Sequence, residues 1–261
     1  MFINQLSASK YNTFKECQLK YKLRYHDRLD PVFNEELSTD AMHYGSFVHR
    51  VLERGVNEDK VETLVEIANE ERGNYEFDDS KLKNFKDICI NFLKLNAQLS
   101  ETVSVEEKFD LDVGDDMHLN GIIDRIVKGE NGKYLIIDYK TSKRAKKKVE
   151  LFQDPQMKMY TYAVSKLYKV PITQIVTCHY YPHYDKIVSV SYSQQDIAFF
   201  LKEVKDKMWQ IRKKKGCDFF ASRNIFCNWC GYKGVCPIFN NPIAIKSRLD
   251  EHARVKEEAK E

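Results

Sequence analysis

The chain has 261 residues, 43% hydrophobic and 12% aromatic, which suits one large folded domain with appendages and excludes disorder. Ten glycines, six prolines and no apolar run near 18 residues exclude linker-rich, collagen-like and membrane-spanning chains. A net charge of +3 announces no nucleic-acid partner by itself, and seven cysteines, an odd number, argue against a disulfide scaffold.

The first residues carry neither the basic start and apolar core of a secretory signal nor the Arg-rich bias of a mitochondrial presequence, so the expected location is cytoplasmic. Ser7 or Ser9 reads as the N-cap of a helix running to about Arg28. In it Phe14, Cys17 and Tyr21 fall three and four residues apart and share one face. A second helix is expected over 42–56, with Gly45, His49 and Leu52 on one stripe, and two more over 60–72 and 81–99. The period then changes to two: Val103, Val105, Phe109, Leu111 and Val113 alternate as in a half-buried strand, with Glu107 on the same face. Strands over 119–127 and 134–141 follow, joined by Gly129-Glu130-Asn131-Gly132, a strong hairpin signal. Asp154 is placed to cap a helix with Pro155 in its first turn, running to about Lys169. Strands over 172–181 and 186–192 come next, and Ser193 with Asp196 opens a long helix to about Lys215. A cysteine segment follows, C-x2-C-x5-C at Cys227, Cys230 and Cys236, and then a charged tail that reads as surface helix or as disordered. This order predicts a mixed α/β domain, with an antiparallel hairpin feeding a helix that crosses to the next strand.

Residues 119–142 carry the densest chemistry. Asp138 and Lys140 lie two apart on a strand and share a face. Leu135, Ile136 and Ile137 suit a buried central strand, and such a strand rarely holds charges unless they are satisfied. With the turn centred near Asn131, Asp124 falls opposite Asp138 to within about one residue, and directly opposed Cβ atoms lie roughly 4.5–5.5 Å apart. Two carboxylates that close repel unless a cation sits between them, and an oxygen-rich pair suits Mg²⁺ or Mn²⁺. A lysine beside such an ion can orient or help deprotonate a water. The same spacing also fits a structural salt bridge of Lys140 with Asp138 or Asp124. The basic clusters Lys143–Lys148 and Arg212–Lys215 fit solvated faces; the first begins three residues after Lys140, where it could also track a DNA backbone.

IIDYKTS (136–142), preceded by GIIDR (121–125), resembles the PD-(D/E)XK nucleases, specifically the RecB/AddB-like branch. HYGSFVHRVLE (43–53) resembles the helix of that branch bearing a metal-binding histidine, here His49. DPQMKMY (154–160) resembles its Q-x3-Y motif, with Gln156 and Tyr160 one helical turn apart. LSASKYNTFKECQLKYKLRY (6–25) resembles its N-terminal helix with a lone cysteine. The C-x2-C-x5-C segment resembles the iron–sulfur closure of AddB-type nucleases, exonuclease V and CRISPR-associated spacer-trimming nucleases. The resemblance runs from about Ser7 to Phe239, and motifs in the right order are far more specific than any one alone. No proline precedes the first acid, and Gln18 stands where many relatives have proline; neither departure touches the inferred chemistry. No helicase P-loop occurs in the sequence.

The resemblance implies a restriction-endonuclease-like α/β fold, a mixed central sheet flanked by helices, with the N- and C-terminal segments joined by a Cys₄ cluster. Its implied divisions are an N-terminal helix with the cluster cysteine (1–40), the nuclease core (41–215), a cluster-binding segment (216–245) and the charged tail (246–261). It implies that His49, Asp124, Asp138 and the Tyr139 carbonyl hold Mg²⁺ or Mn²⁺, that Lys140 serves the attacking water, and that Gln156 and Tyr160 position substrate or Lys140. Glu106 or Glu107 would add an outer carboxylate: the E-x-x-F spacing of relatives favours Glu106, the alternation favours Glu107. Cys17, Cys227, Cys230 and Cys236 would hold a [4Fe–4S] cluster, with Zn²⁺ the alternative, in an apolar shell of Phe226, Trp229, Tyr232, Ile238 and Phe239. Cys89, Cys178 and Cys217 read as ordinary buried or semi-buried thiols. The implied activity is a metal-dependent deoxyribonuclease, an exonuclease on single-stranded DNA or DNA ends in recombination and repair. Its partners would be DNA and recombination or CRISPR proteins, with no membrane. The alternatives are a CRISPR spacer-processing nuclease and a non-catalytic DNA-binding subunit of a recombination complex; the full set His49, Asp124, Asp138 and Lys140 argues against the latter. A redox role for Cys227 and Cys230 lacks its thioredoxin-like βαβ context.

Overall fold

The computed structural model describes residues 4–31, 39–129 and 131–258; Glu130 of the expected turn and parts of both expected end segments lie outside the described residues. The elements are, in order, β1 (Gln5–Leu6), α1 (Ala8–Glu16), α2 (Gln18–Tyr21), α3 (Asp40–Arg54), α4 (Val61–Glu71), α5 (Phe85–Asn96), β2 (Glu101–Asp112), β3 (His118–Lys128) and β4 (Tyr134–Tyr139). Then come α6 (Lys148–Phe152), α7 (Pro155–Leu167), β5 (Ile175–Tyr181), β6 (Lys186–Ser191), α8 (Gln194–Lys213) and α9 (Pro242–Glu258). The chain forms two compact units: Thr39–Lys205, and Met1–Ser38 together with Asp206–Glu261. The division falls inside α8.

The central unit holds a mixed sheet. β3 pairs antiparallel with both β2 and β4, β5 runs parallel to β4, and β6 is antiparallel to β5. The parallel step from β4 to β5 needs a crossover, which α6 and α7 supply. Alternation then assigns the faces. Ile137, Tyr139, Cys178 and Tyr180 join the core built by Phe47 and Val51 of α3 and Ile88 and Phe92 of α5. Asp138, Lys140, His179 and Tyr181 take the opposite face, toward α7. Each fully buried aliphatic or phenyl side chain contributes about 1.5–3 kcal/mol to holding this arrangement.

Local signals explain most boundaries. The Asp154 carboxylate accepts from Gln156 N at 2.9 Å and Pro155 opens α7. Ser193 and Asp196 cap each other, Ser193 N to Asp196 Oδ2 at 2.8 Å and Asp196 N to Ser193 Oγ at 3.1 Å. The helix expected over 81–99 is instead split: Asp78 caps a 3₁₀ turn at Asp79–Leu82, and α5 starts only at Phe85. The last residue of the first basic cluster, Lys148, opens the short helix α6.

In the other unit the helix expected to reach Arg28 is broken. α1 stops at Glu16, Cys17 is extended (φ −159°, ψ 115°), and α2 restarts at Gln18, followed by a π-helical turn at Lys22–His26. Cys17 N–H closes α1 on Thr13 O at 2.9 Å, and at the break the Asn224 side-chain amide takes up Glu16 O at 3.3 Å. The ends of the chain share a small core of Leu23, Tyr232 and Val235, with Leu19, Leu29, Ile245 and Leu249 around it. The charged tail is helical from Pro242 to Glu258.

Candidate active site

The β3–β4 register pairs Arg125 with Ile137, and one step on it sets Asp124 opposite Asp138. The ladder ends there because a carboxylate replaces a carbonyl: Tyr139 N–H donates to Asp124 Oδ2 at 2.8 Å. His49, from α3, brings Nδ1 to 3.3 Å of the same oxygen. Lys140 Nζ lies 2.6 Å from Asp138 Oδ2 and donates to Gln156 Oε1 at 3.3 Å. Gln156 Nε2 in turn donates to Tyr160 Oη at 2.8 Å, and Tyr160 donates to the Ile122 carbonyl at 2.5 Å. The Q-x3-Y pair on α7 is thus a strut from β3 to the Lys140 ammonium. Gly45 lets α3 lie close beside the strand end, since a Cβ there would stand 3.2 Å from Thr141 Oγ1.

The electrostatics are tense. Asp138 is 1% exposed in its side chain, and burial pushes its carboxyl up to about 6 despite the Lys140 charge. Burial would lower His49, but Asp124 and Asp138 overcome it and hold the imidazole above its usual range. Lys140 likewise is penalised by burial and still raised by Asp138, Asp124 and Asp154. Burial, then Asp138 and Asp124, keeps the Tyr160 phenol protonated.

The two glutamates separate cleanly. Glu106 takes a left-handed backbone (φ 49°) inside β2 and lines a cleft of about 470 Å³ with Gly45, His49, Glu53, Asp124 and Thr141. Burial and the charges of Asp124 and Glu53 raise its carboxyl. Glu107 is instead turned to the Ser104 hydroxyl, which donates to it. The alternation that favoured Glu107 fails because the left-handed residue interrupts the pleat. His49 and Thr141 also line a second cavity, of about 870 Å³, with Lys140, Ser142, Lys143 and His183. Of the basic run, Arg144 is engaged by Glu150 at 3.0 Å and Lys146 by Asp154 at 2.5 Å, while Lys143 reaches this cavity.

The donor set fits a hard divalent cation: two carboxylates, an imidazole and a strand-end carbonyl, with the Asp138 carboxylate buried beside the Lys140 ammonium. Among the described residues, no three His, Cys, Asp or Glu side chains, the cysteines included, are grouped as they would be around a metal ion.

Cys17, Cys227, Cys230 and Cys236 fall in one unit and none is in a disulfide. Burial raises the Cys230 and Cys236 thiols, and both also feel Cys17 and Cys227. Asn224 N–H donates to Cys227 Sγ at 3.3 Å, the kind of bond that steadies a thiolate. Soft donors of this number fit zinc or an iron–sulfur cluster. The expected apolar shell is not there: Phe226, Trp229 and Phe239 are exposed, and of the five only Tyr232 is fully buried. Cys217 is exposed as well, whereas Cys89 and Cys178 are buried.

One group escaped the sequence altogether. His179, fully buried, is the Cα partner of Asp138 on β5, with Nε2 3.7 Å from Asp138 Oδ2. Only the parallel β4–β5 register brings them together.

The sequence matches the model of the PD-(D/E)XK nuclease superfamily over residues 5–237. A protein from Streptococcus uberis, named as one subunit of an ATP-dependent helicase/deoxyribonuclease, is 31% identical over 151 residues, 52% of this chain and 14% of that protein. Its namesake from Streptococcus agalactiae is 30% identical over 181 residues, 62% of this chain and 16% of that one. The match therefore spans only about one-seventh to one-sixth of the length of these relatives. A crystal structure from Eubacterium rectale, described provisionally as an exonuclease, superposes with a TM-score of 0.50 over 84% of each chain at 14% identity, a likeness of fold.

Proposed function

Because the chain belongs to the PD-(D/E)XK nuclease superfamily, we propose that it is a Mg²⁺- or Mn²⁺-dependent deoxyribonuclease, an exonuclease acting on single strands or DNA ends in recombination and repair. The observation that carries this reading is the meeting of His49, Asp124, Asp138 and Lys140 at one strand end, in a chain whose relatives are named for a helicase/deoxyribonuclease. His49, Asp124, Asp138 and the Tyr139 carbonyl would hold the ion, and Glu106 would add an outer carboxylate. When bound, the ion lowers the pKa of a water and neutralises charge on a phosphoryl oxygen. Lys140 orients the attacking water with its ammonium, steered by Asp138 on one side and Gln156 on the other. Tyr160 fixes Gln156 and, as a protonated phenol, adds no negative charge to a site that must admit a phosphate. Asp124 keeps the strand end square by holding Tyr139 N–H. Lys143, on the adjoining cavity, meets the phosphate backbone. The four cysteines hold a structural [4Fe–4S] cluster, with Zn²⁺ as the alternative. DNA, and a helicase-containing recombination complex, are the proposed partners.

The test uses end-labelled single- and double-stranded DNA with Mg²⁺ or Mn²⁺, comparing wild type with Asp138→Ala and Lys140→Ala. Metal-dependent cleavage that falls at least about 100-fold in both variants is expected. Cleavage that ignores metal, or survives both substitutions, overturns the assignment.

A further inference from the structure

His179 is the buried group that the reading above does not use. It sits beside Asp138 in the parallel β4–β5 ladder, so both side chains leave the sheet on the same face. Its side chain is completely inaccessible, and so is its Nε2 atom, which has no hydrogen-bond partner. The atom facing it, Asp138 Oδ2, is also buried and is held by the Lys140 ammonium at 2.6 Å. A buried imidazole nitrogen left unmatched costs about 1–3 kcal/mol, and the nearest acceptor for it is this carboxylate oxygen, 3.7 Å away.

The far side of the ring sets the tautomer. Tyr181 Oη accepts from Lys146 N–H at 2.9 Å and lies 3.2 Å from His179 Nδ1. The phenol proton is then free to point at Nδ1, which leaves the imidazole proton on Nε2, aimed at Asp138. Asp154 Oδ2, the other carboxylate near Nε2, is 3.9 Å away and already paired with Lys146. The result is a buried file, Lys146 N–H to Tyr181 to His179 to Asp138, that starts in the basic loop and ends on a proposed metal ligand.

We propose that His179 is a positioning residue for the Asp138 carboxylate: its Nε2–H takes over Oδ2 when Lys140 turns to the water, and so holds Asp138 in ligating orientation. This rests on the metal site proposed above. In the structure Lys140 occupies Oδ2, and His179 stands one short adjustment away. A carboxylate that must bind an ion with one oxygen needs a donor on the other, and Lys140 cannot serve the water and Asp138 equally. Partners of this kind beyond the ligands themselves typically govern 10- to 100-fold in metal affinity.

The experiment is Mn²⁺ binding to the full chain without DNA, by calorimetry and by the EPR signal of free Mn²⁺, for wild type, His179→Leu, His179→Gln, Tyr181→Phe and Asp138→Asn. Gln carries a donor near the Nε2 position; Leu fills the space without one. The expected result is a roughly 10- to 100-fold weaker Mn²⁺ Kd for His179→Leu, with His179→Gln within about threefold of wild type. A folded His179→Leu protein that binds Mn²⁺ like wild type overturns the proposal. Equal losses in the Leu and Gln variants also overturn it, because the role would then be one of shape. If His179→Leu does not fold, Tyr181→Phe decides: with the proton no longer directed to Nε2, Mn²⁺ should bind more weakly, and unchanged binding refutes the file. Wild type that binds no more Mn²⁺ than Asp138→Asn would instead sink the metal site itself, a result distinct from any His179 effect.

Discussion

Neighbouring residues of the same type do different work here, and backbone conformation decides which. Glu106 pays a left-handed φ of 49°, a cost of about 1–2 kcal/mol for a residue with a Cβ, and faces Asp124 in the cleft. Glu107 bonds locally to Ser104. Glu106→Gly should therefore hold global stability within about 1 kcal/mol while lowering metal-dependent cleavage, and Glu107→Ala should leave cleavage unchanged. Denaturation and nuclease assays on both variants check this, and the reverse pattern would contradict it. His179 makes a pH prediction. Its imidazole is held down to about 3, first by burial and then by the Lys140 charge, against an ordinary value of 6.5. Below 6.5 the unfolded chain takes up a proton that the folded chain refuses, so this group costs stability as pH falls. Asp138 acts oppositely: raised to about 6, it is protonated in the folded state first, which favours folding as pH falls toward 5. Wild type should show the two partly cancelling. On moving from pH 7 to pH 5, His179→Gln should gain about 2 kcal/mol relative to wild type in urea titrations, because only the opposing term is removed. Parallel pH slopes for the two proteins would show that His179 is not held neutral.

At the level of elements, α7 links scaffold to chemistry. Its cap, Asp154, also binds Lys146, and its first turns carry Gln156 and Tyr160. Asp154→Ala should cost about 1 kcal/mol from the cap alone, more with the Lys146 pair, and lower cleavage through Gln156. β3 has its own pinch point: a Cβ on Gly121 would lie 2.8 Å from the Phe109 ring, which packs edge-on against Tyr160 at 6.1 Å. Gly121→Ala should destabilise by about 1–3 kcal/mol and disturb the strut, read as a lower Tm together with a lower kcat. Much of this was legible in the sequence, because the signals are local. The Gly-rich turn and period-two strands put Asp124 near Asp138, and Asp-Pro marked α7 and with it Gln156. The break at Cys17 was not legible, since no glycine or proline announces it and its partner is the Asn224 amide. Nor was His179, whose relation to Asp138 exists only through a parallel pairing with α6 and α7 intervening. The exposure of Trp229 and Phe226 also ran against expectation, because aromatic spacing says nothing about which side a 3₁₀ turn presents.

On the scale of the whole molecule, the metal chemistries proposed fall in separate units. His49, Asp124, Asp138 and Lys140 belong to Thr39–Lys205, and all four cysteines belong to the unit made from both ends of the chain. Cys17→Ser, or chelation of the metal proposed there, should therefore raise amide exchange in residues 4–31 and 206–258 while the strands β2 to β6 stay protected. Uniform loss of protection across both units would argue that they unfold together. The extended Cys17 between α1 and α2 carries a consequence for biosynthesis. Cys17 is synthesised before Cys227, which follows 210 positions later, after the whole of Thr39–Lys205. At the rates of translation, about 5–20 residues per second, the thiol waits roughly ten seconds or more with no partner, and the nuclease unit can fold in that interval. If the four cysteines share a metal as proposed, that site closes only after the nuclease unit between them has been made, so folding of the unit sets when the cysteines can meet.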